Sequence, residues 1–182
     1  MSHKKSLYAL CLTIFPLMVC SGMVYSVLPL YINSELGAST RHIGLLYMVG
    51  AAIGAIFAPF LGRLSDKFGR HRILLICMGG FAAAFALYSL IRDFVQAFPV
   101  YALEGLSWAA LGTVVPALIA DIVPPEDRGW AMGIYERTWS IGWIVGPLAG
   151  GFLAEAIGFR VTFALGALLI VLGLIPYAWK RA

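Results

Sequence analysis

Three ionisable side chains lie deep inside long apolar stretches of the chain: Glu104, Glu136 and Arg137. Charge at membrane depth is costly, so each such residue is a candidate for function. A carboxyl that is expensive to keep charged suits reversible proton binding. Trp108 follows Glu104 by one helical turn, so acid and indole share a face. Hydrophobic cations could stack on that indole. The structural alternative for Glu104 is a hydrogen bond to a neighbouring helix. Glu136 and Arg137 lie about 10–12 Å into their run, at about 1.5 Å per residue. As neighbours in sequence they point apart, so Arg137 is expected to find an ion-pair partner on another helix, with Glu104 one candidate. The first apolar run offers no acid, and Tyr25 and Tyr31 are its polar aromatics.

The elements that must position these residues follow from composition. The chain has 182 residues, 61% hydrophobic and 12% charged, with a mean hydropathy of +0.89. A soluble domain carries about 25% charged residues. Spanning about 30 Å of hydrocarbon takes about 20 apolar residues, and runs of that length recur at roughly 6–32, 41–61, 73–91, 97–120, 129–153 and 160–179. A backbone in lipid must satisfy its own hydrogen bonds, so these runs are predicted to be helices. Segments of about ten residues with alternating polarity, the mark of a membrane barrel, are absent. The expected architecture is an all-α membrane protein, residues 1–182 forming a single six-helix bundle.

The formal charge of +4 needs no nucleic-acid partner, because it reads as a topology signal. With the amino terminus inside, Lys4, Lys5, Arg63, Lys67, Arg70, Arg72, Arg128, Lys180 and Arg181 are cytoplasmic, against Arg41, Arg92 and Arg160 outside. That asymmetry predicts a plasma (inner) membrane protein with both termini in the cytoplasm. The basic start and the charge-free run from Ser6 to Ser34 are too long for a leader peptide and read as the first span. Cys11, Cys20 and Cys77 have neither metal nor disulfide spacing and read as small buried hydrophobes. No metal and no cofactor are expected.

Three motifs add specificity. Between the second and third runs stands Gly62-Arg63-Leu64-Ser65-Asp66-Lys67-Phe68-Gly69-Arg70-His71-Arg72. An acid embedded among bases just before a helix is favoured by the helix dipole and by nearby arginines, and Gly62 and Gly69 could permit reversals on either side. In the fifth run, Gly142, Gly146 and Gly150 recur every four residues beside Pro147 and Gly151, a smooth stripe against which another helix can pack closely. Gly50, Gly54, Ala58 and Gly62 form a similar stack in the second run. Between the fourth and fifth runs, Asp121 and Arg128 flank a turn across which they could pair.

The first of these, G-x-L-x-D-x-x-G-R-x-R, resembles the cytoplasmic loop signature of the major facilitator superfamily. The string G-x-x-x-G-P-x-x-G-G is similar to the motif of its proton-coupled antiporters, and the Asp121–Gly129 segment resembles its D-x-x-P-x-x-x-R-G loop. The resemblance implies the amino-terminal six-helix bundle of such a transporter. It also implies that Gly62, Leu64, Asp66, Gly69, Arg70 and Arg72 form a conformational-switch loop, and it favours export of small molecules coupled to protons. The fourth span would line the cavity, and the candidates for substrate and proton binding are Glu104, Trp108 and Tyr101 on that span, Tyr25 on the first, and Glu136 and Arg137 on the fifth. One departure stands out. Where many relatives carry an arginine four residues before the glycine, this chain has Tyr101 before Gly105.

Other classes fit less well. An intramembrane serine protease needs a G-x-S-G serine and a histidine on the sixth span, whereas Gly105-Leu106-Ser107-Trp108 lacks the second glycine and 160–179 contains no histidine. Nothing resembles a channel's filter loop. Carriers of this kind hold substrate between two six-helix halves. The chain is therefore expected to act with a second half, in the same gene product, in a separate chain or as a second copy. The non-transport alternative is a membrane fragment or regulatory subunit that packs against a partner.

Overall fold

The computed structural model describes residues 3–179, with side chains through Ile175. Lys180 and Arg181, counted above among the basic residues, lie outside the described residues, as does the side chain of Pro176. Six helices account for almost all of it: α1 (His3–Ser34), α2 (Thr40–Phe68), α3 (Arg70–Leu90), α4 (Ala97–Ile122), α5 (Arg128–Ile157) and α6 (Phe159–Trp179). There is no strand among the described residues, and 3₁₀ turns at Phe94–Gln96 and Pro125–Asp127 lead into α4 and α5. Helices α1 to α5 are each long and apolar enough to cross a membrane. This is an all-α, multi-pass membrane protein.

Helix α2 corrects one expectation. It runs on past the apolar stretch to Phe68 and stops only at Gly69 (φ 94°). Gly62 is thus an ordinary helical residue with open space around it. Asp66 sits in the last turn of α2, not ahead of α3. The reason is that charged residues leave the hydrocarbon without needing to leave the helix. Between α2 and α3 it is at Gly69 that the backbone takes a positive φ, which a side chain would oppose. The turn from α5 to α6 is built the same way, on Gly158 (φ 82°).

Helix neighbours follow one pattern twice. α1 packs along α5 and α2 along α4, while α3 backs α4, α6 backs α1, and α3 and α6 pack together. The first helix of each triplet therefore crosses the second helix of the other. Three is an odd number of crossings, so the second triplet runs inverted relative to the first, as in the nested repeats of some carriers. The ion pairs echo this. Arg70, opening α3, reaches Asp121 near the end of α4 at 3.2 Å, and Arg160, in the first turn of α6, reaches Glu35 just past α1 at 3.3 Å.

The bundle is an open arc in the order α2, α4, α3, α6, α1, α5. α1 is the most buried helix, and α2 and α5, at the two ends of the arc, are the most exposed. They present Met48, Ile56, Phe60, Ile144, Leu148 and Phe152 outward, an apolar surface suited to lipid or to other helices. Helices in lipid gain little from the hydrophobic effect on one another, so close packing must hold them. That packing is supplied by glycine. Gly142, Gly146 and Gly150 lie on the main chain of Met18, Val19, Gly22 and Met23 in α1, and Gly105 of α4 lies on the main chain of Gly50 in α2.

Candidate functional site

The concave side of the arc holds the polar and aromatic residues. Tyr25 of α1 is the hub. Its ring centroid is 6.3 Å from Tyr47 of α2, 6.4 Å from Tyr101 and 6.2 Å from Trp108 of α4, and 5.8 Å from Trp143 of α5. Tyr47 and Tyr101 are 5.1 Å apart, and Trp139 of α5 adds a ring 5.2 Å from Trp108. The hydroxyl of Tyr101 donates to that of Tyr25 at 3.4 Å. Beside these rings is a cavity of about 450 Å³ whose wall includes Tyr25, Tyr47, Tyr101 and Trp108, with Gly50, Gly54 and Gly105 where α2 and α4 meet.

Glu104 lies at the back of this cluster, fully buried, with Tyr25 and Trp108 on its cavity side. Its Oε2 accepts a hydrogen bond of 2.7 Å from the hydroxyl of Tyr88 in α3. Its Oε1 has no hydrogen-bond partner, and the indole N–H groups of Trp108 and Trp143 are buried and unpartnered as well. Native buried polar groups rarely go unsatisfied. Of these three groups Trp108 lines the cavity, while Glu104 and Trp143 lie behind its wall, with Trp108 and Tyr25 the carboxyl's polar neighbours on the cavity side. Among the described residues no lysine, arginine or histidine pairs with Glu104, and none forms a metal cluster with other ligating side chains.

The structure brings Glu104, Trp108, Tyr101 and Tyr25 together and leaves Glu136 and Arg137 apart. Both of the latter are exposed on α5. Arg137 makes no ion pair among the described residues, with Glu104 or any other acid. The reason lies in α5, which uses its glycine face to cross α1 and, at the end of the arc, is touched only lightly by α6 and α4, so the side opposite the glycines stays uncovered. Tyr31 is also outside the cluster. It is buried near the far end, where its hydroxyl donates to the carbonyl of Ile91 at 3.1 Å and its ring lies under Arg160.

Four cluster members were not anticipated: Tyr47, Tyr88, Trp139 and Trp143. Tyr47 stands three residues before Gly50, on the α2 face that packs on α4, so its placement was readable in principle. Trp143 lies within the glycine motif itself. Tyr88 has no such signal, because α3 is apolar on every side.

At the basic end, Arg70 bridges two acids, Asp66 and Asp121, each at 3.2 Å. Asp121 therefore pairs with Arg70 and not with Arg128, whose guanidinium instead donates to the carbonyl of Ala120 at 3.1 Å. That carbonyl is one of the free acceptors at the end of α4, which a cation satisfies well. Arg72 is exposed and Leu64 half so, while Ser65, Asp66, Gly69, Arg70, His71 and Asp121 line a cleft of about 510 Å³. In the glycine motif, Gly142, Gly146 and Gly150 form the seam with α1, Pro147 rests on Gly22, and Gly151 points into open space.

Comparison with known proteins agrees with this arrangement. The profile of the Major Facilitator Superfamily matches residues 10–182. Multidrug resistance protein MdtG of Yersinia enterocolitica is 34% identical over 172 residues, covering 90% of this chain and 40% of that protein. The class H tetracycline resistance protein of Pasteurella multocida is 32% identical over 136 residues, covering 74% of this chain and 34% of that protein. The chain thus spans well under half the length of these relatives. In fold, the crystal structure of the human organic anion transporter MFSD10 (TETRAN) superimposes with a TM-score of 0.71 at 19% identity, over 96% of this chain and 48% of that one. With the loop signature, the glycine seam and the profile in register, the chain belongs to the Major Facilitator Superfamily.

Proposed function

We propose that this chain is the amino-terminal half of a proton-coupled exporter of small molecules that works by alternating access. The observation that carries the reading is Glu104, a fully buried carboxyl with one oxygen unpartnered behind an aromatic-lined cavity. A group that is costly to charge, next to space for a ligand, can exchange a proton for a substrate. The aromatic wall suits flat or cationic apolar compounds, in keeping with relatives whose names concern multidrug and tetracycline resistance. The ion-paired loop around Arg70 would brace one conformation, and the exposed faces of α2 and α5 would meet the second six-helix half. The excess of lysine and arginine at one end supports cytoplasmic termini. The proposed role is that of a carrier and not of an enzyme.

The test is transport in vesicles by this chain joined to a carboxy-terminal half. Drug efflux driven by a proton gradient should appear, and Glu104→Gln should reduce it to background while leaving gradient-free exchange of substrate. Coupled efflux that survives Glu104→Gln would remove Glu104 from the proton path. Efflux by the isolated chain would show that six helices suffice.

A further inference from the structure

The residue that holds the Glu104 carboxyl by a hydrogen bond lies on a helix outside the cavity wall. Tyr88 belongs to α3 and is fully buried, its ring 6.0 Å from Phe163 of α6 and 6.5 Å from Phe85. No part of it lines the cavity described above. Its hydroxyl has one partner, Oε2 of Glu104, at 2.7 Å. A phenol hydroxyl carries one hydrogen. With no other acceptor in reach, that hydrogen must go to Oε2, for otherwise it would be buried and unpaired.

This has a consequence for the carboxyl. If a proton settled on Oε2, either that O–H would donate to Tyr88 and strand the tyrosine's hydrogen, or Tyr88 would donate to a hydroxyl oxygen, a poorer acceptor than a carbonyl. A proton on Oε1 leaves the Tyr88 bond intact, with Oε2 as the carbonyl oxygen. Oε1 is also the oxygen with no partner in bonding geometry, although the Trp108 indole and the Tyr25 hydroxyl lie beside the carboxyl. The titratable groups around the carboxyl are Tyr25 from α1, Tyr47 from α2, Tyr88 from α3 and Tyr101 from α4. None of them is a cation that could dictate the choice instead. We propose that Tyr88 is a positioning residue that holds Oε2 of Glu104 as an acceptor, so that the transported proton is taken up and released at Oε1. This rests on the reading of Glu104 as the proton carrier.

Infrared difference spectroscopy on the 182-residue chain in lipid nanodiscs, between acid and alkaline buffer, tests both steps separately. Glu104→Gln should remove a protonated-carboxyl C=O band. Tyr88→Phe should retain that band and move it to higher wavenumber, because the carbonyl loses its donor. To guard against a folding defect in Tyr88→Phe, 3-fluorotyrosine placed at position 88 keeps the ring and strengthens the donor, and it should move the band to lower wavenumber. A Glu104 band unmoved by the fluorotyrosine would overturn the role of Tyr88 and leave the carrier reading standing. Absence of any Glu104-dependent band would remove the carrier reading, and the Tyr88 inference with it.

Discussion

Two helix crossings in this protein use the same residue type for different ends. Where α5 crosses α1, Gly142, Gly146 and Gly150 lie against the main chain of α1, with the Met18 Cβ and the Ser26 hydroxyl the side-chain atoms that share the contact. Where α2 crosses α4, the space beside Gly50 is taken by the ring of Tyr101, while Gly105 lies on the main chain of Gly50 and a methyl group at Gly54 would meet the carbonyl of Gly105 at a looser 3.3 Å. The first crossing is a closed seam. The second is the wall of a cavity, because Gly50, Gly54 and Gly105 face it as well as one another. Small residues thus fasten one side of the arc and make room on the other. The difference suits a rigid bundle with an internal cavity, since the crossing beside the cavity must leave volume that the other crossing fills.

Substitutions can break or sharpen this distinction. The largest effect is expected for Gly146→Ala, whose methyl group would overlap the carbonyl of Val19 and come within 2.9 Å of the Gly22 Cα. Backbone cannot swing aside as a side chain can. A loss of about 3 kcal/mol, the upper end for overpacking, should be seen by unfolding in mixed micelles. Gly105→Ala also meets main chain, that of Gly50, but at the open crossing, where α2 has few other neighbours to hold it. About 2 kcal/mol is expected there. It should come with a smaller cavity, seen as weaker quenching of tryptophan fluorescence by an aromatic drug.

Gly50→Ala displaces a side chain, the Tyr101 ring. It should cost about 1 kcal/mol while altering drug quenching as strongly as Gly105→Ala. Equal losses of stability for Gly146→Ala and Gly50→Ala would contradict the division into seam and wall. The smallest effect is predicted for Gly62→Ala, in the same stack but in open space inside α2. Without a contact to break, it should stabilise the chain by about 0.5–1 kcal/mol through helix propensity alone. A loss there would mean that α2 has a neighbour along Gly62 in the folded protein.

Much of the fold was legible in the residues. The apolar runs matched helices closely at α4, α5 and α6, where turn residues and charges sit at the ends. The mismatch at α2 arose because the end of hydrophobicity was read as the end of a helix. Lipid sets where a span must be apolar, but the helix ends only where backbone geometry changes, here at Gly69. Of the candidate site, the depth of Glu104 and the shared face with Trp108 could be read locally, since both depend on positions along one helix. The partners of Arg70 and Arg137 could not. Arg70 chose Asp121 from a segment fifty residues away, and Arg137 met no acid at all.

The sequence by itself determined the class of molecule, the long apolar segments that become its helices, and the small faces available for packing. These are properties of composition and of position within a segment, and the bilayer as solvent enforces them. Only the tertiary structure decided which small face met which, that α2 and α5 end the arc, and that the carboxyl at the centre is held by a tyrosine from the helix behind it. Helices apolar on all sides carry no stripe that marks an inward face. Their neighbours are chosen by shape, one glycine against one backbone at a time, and shape is a property of the assembled bundle.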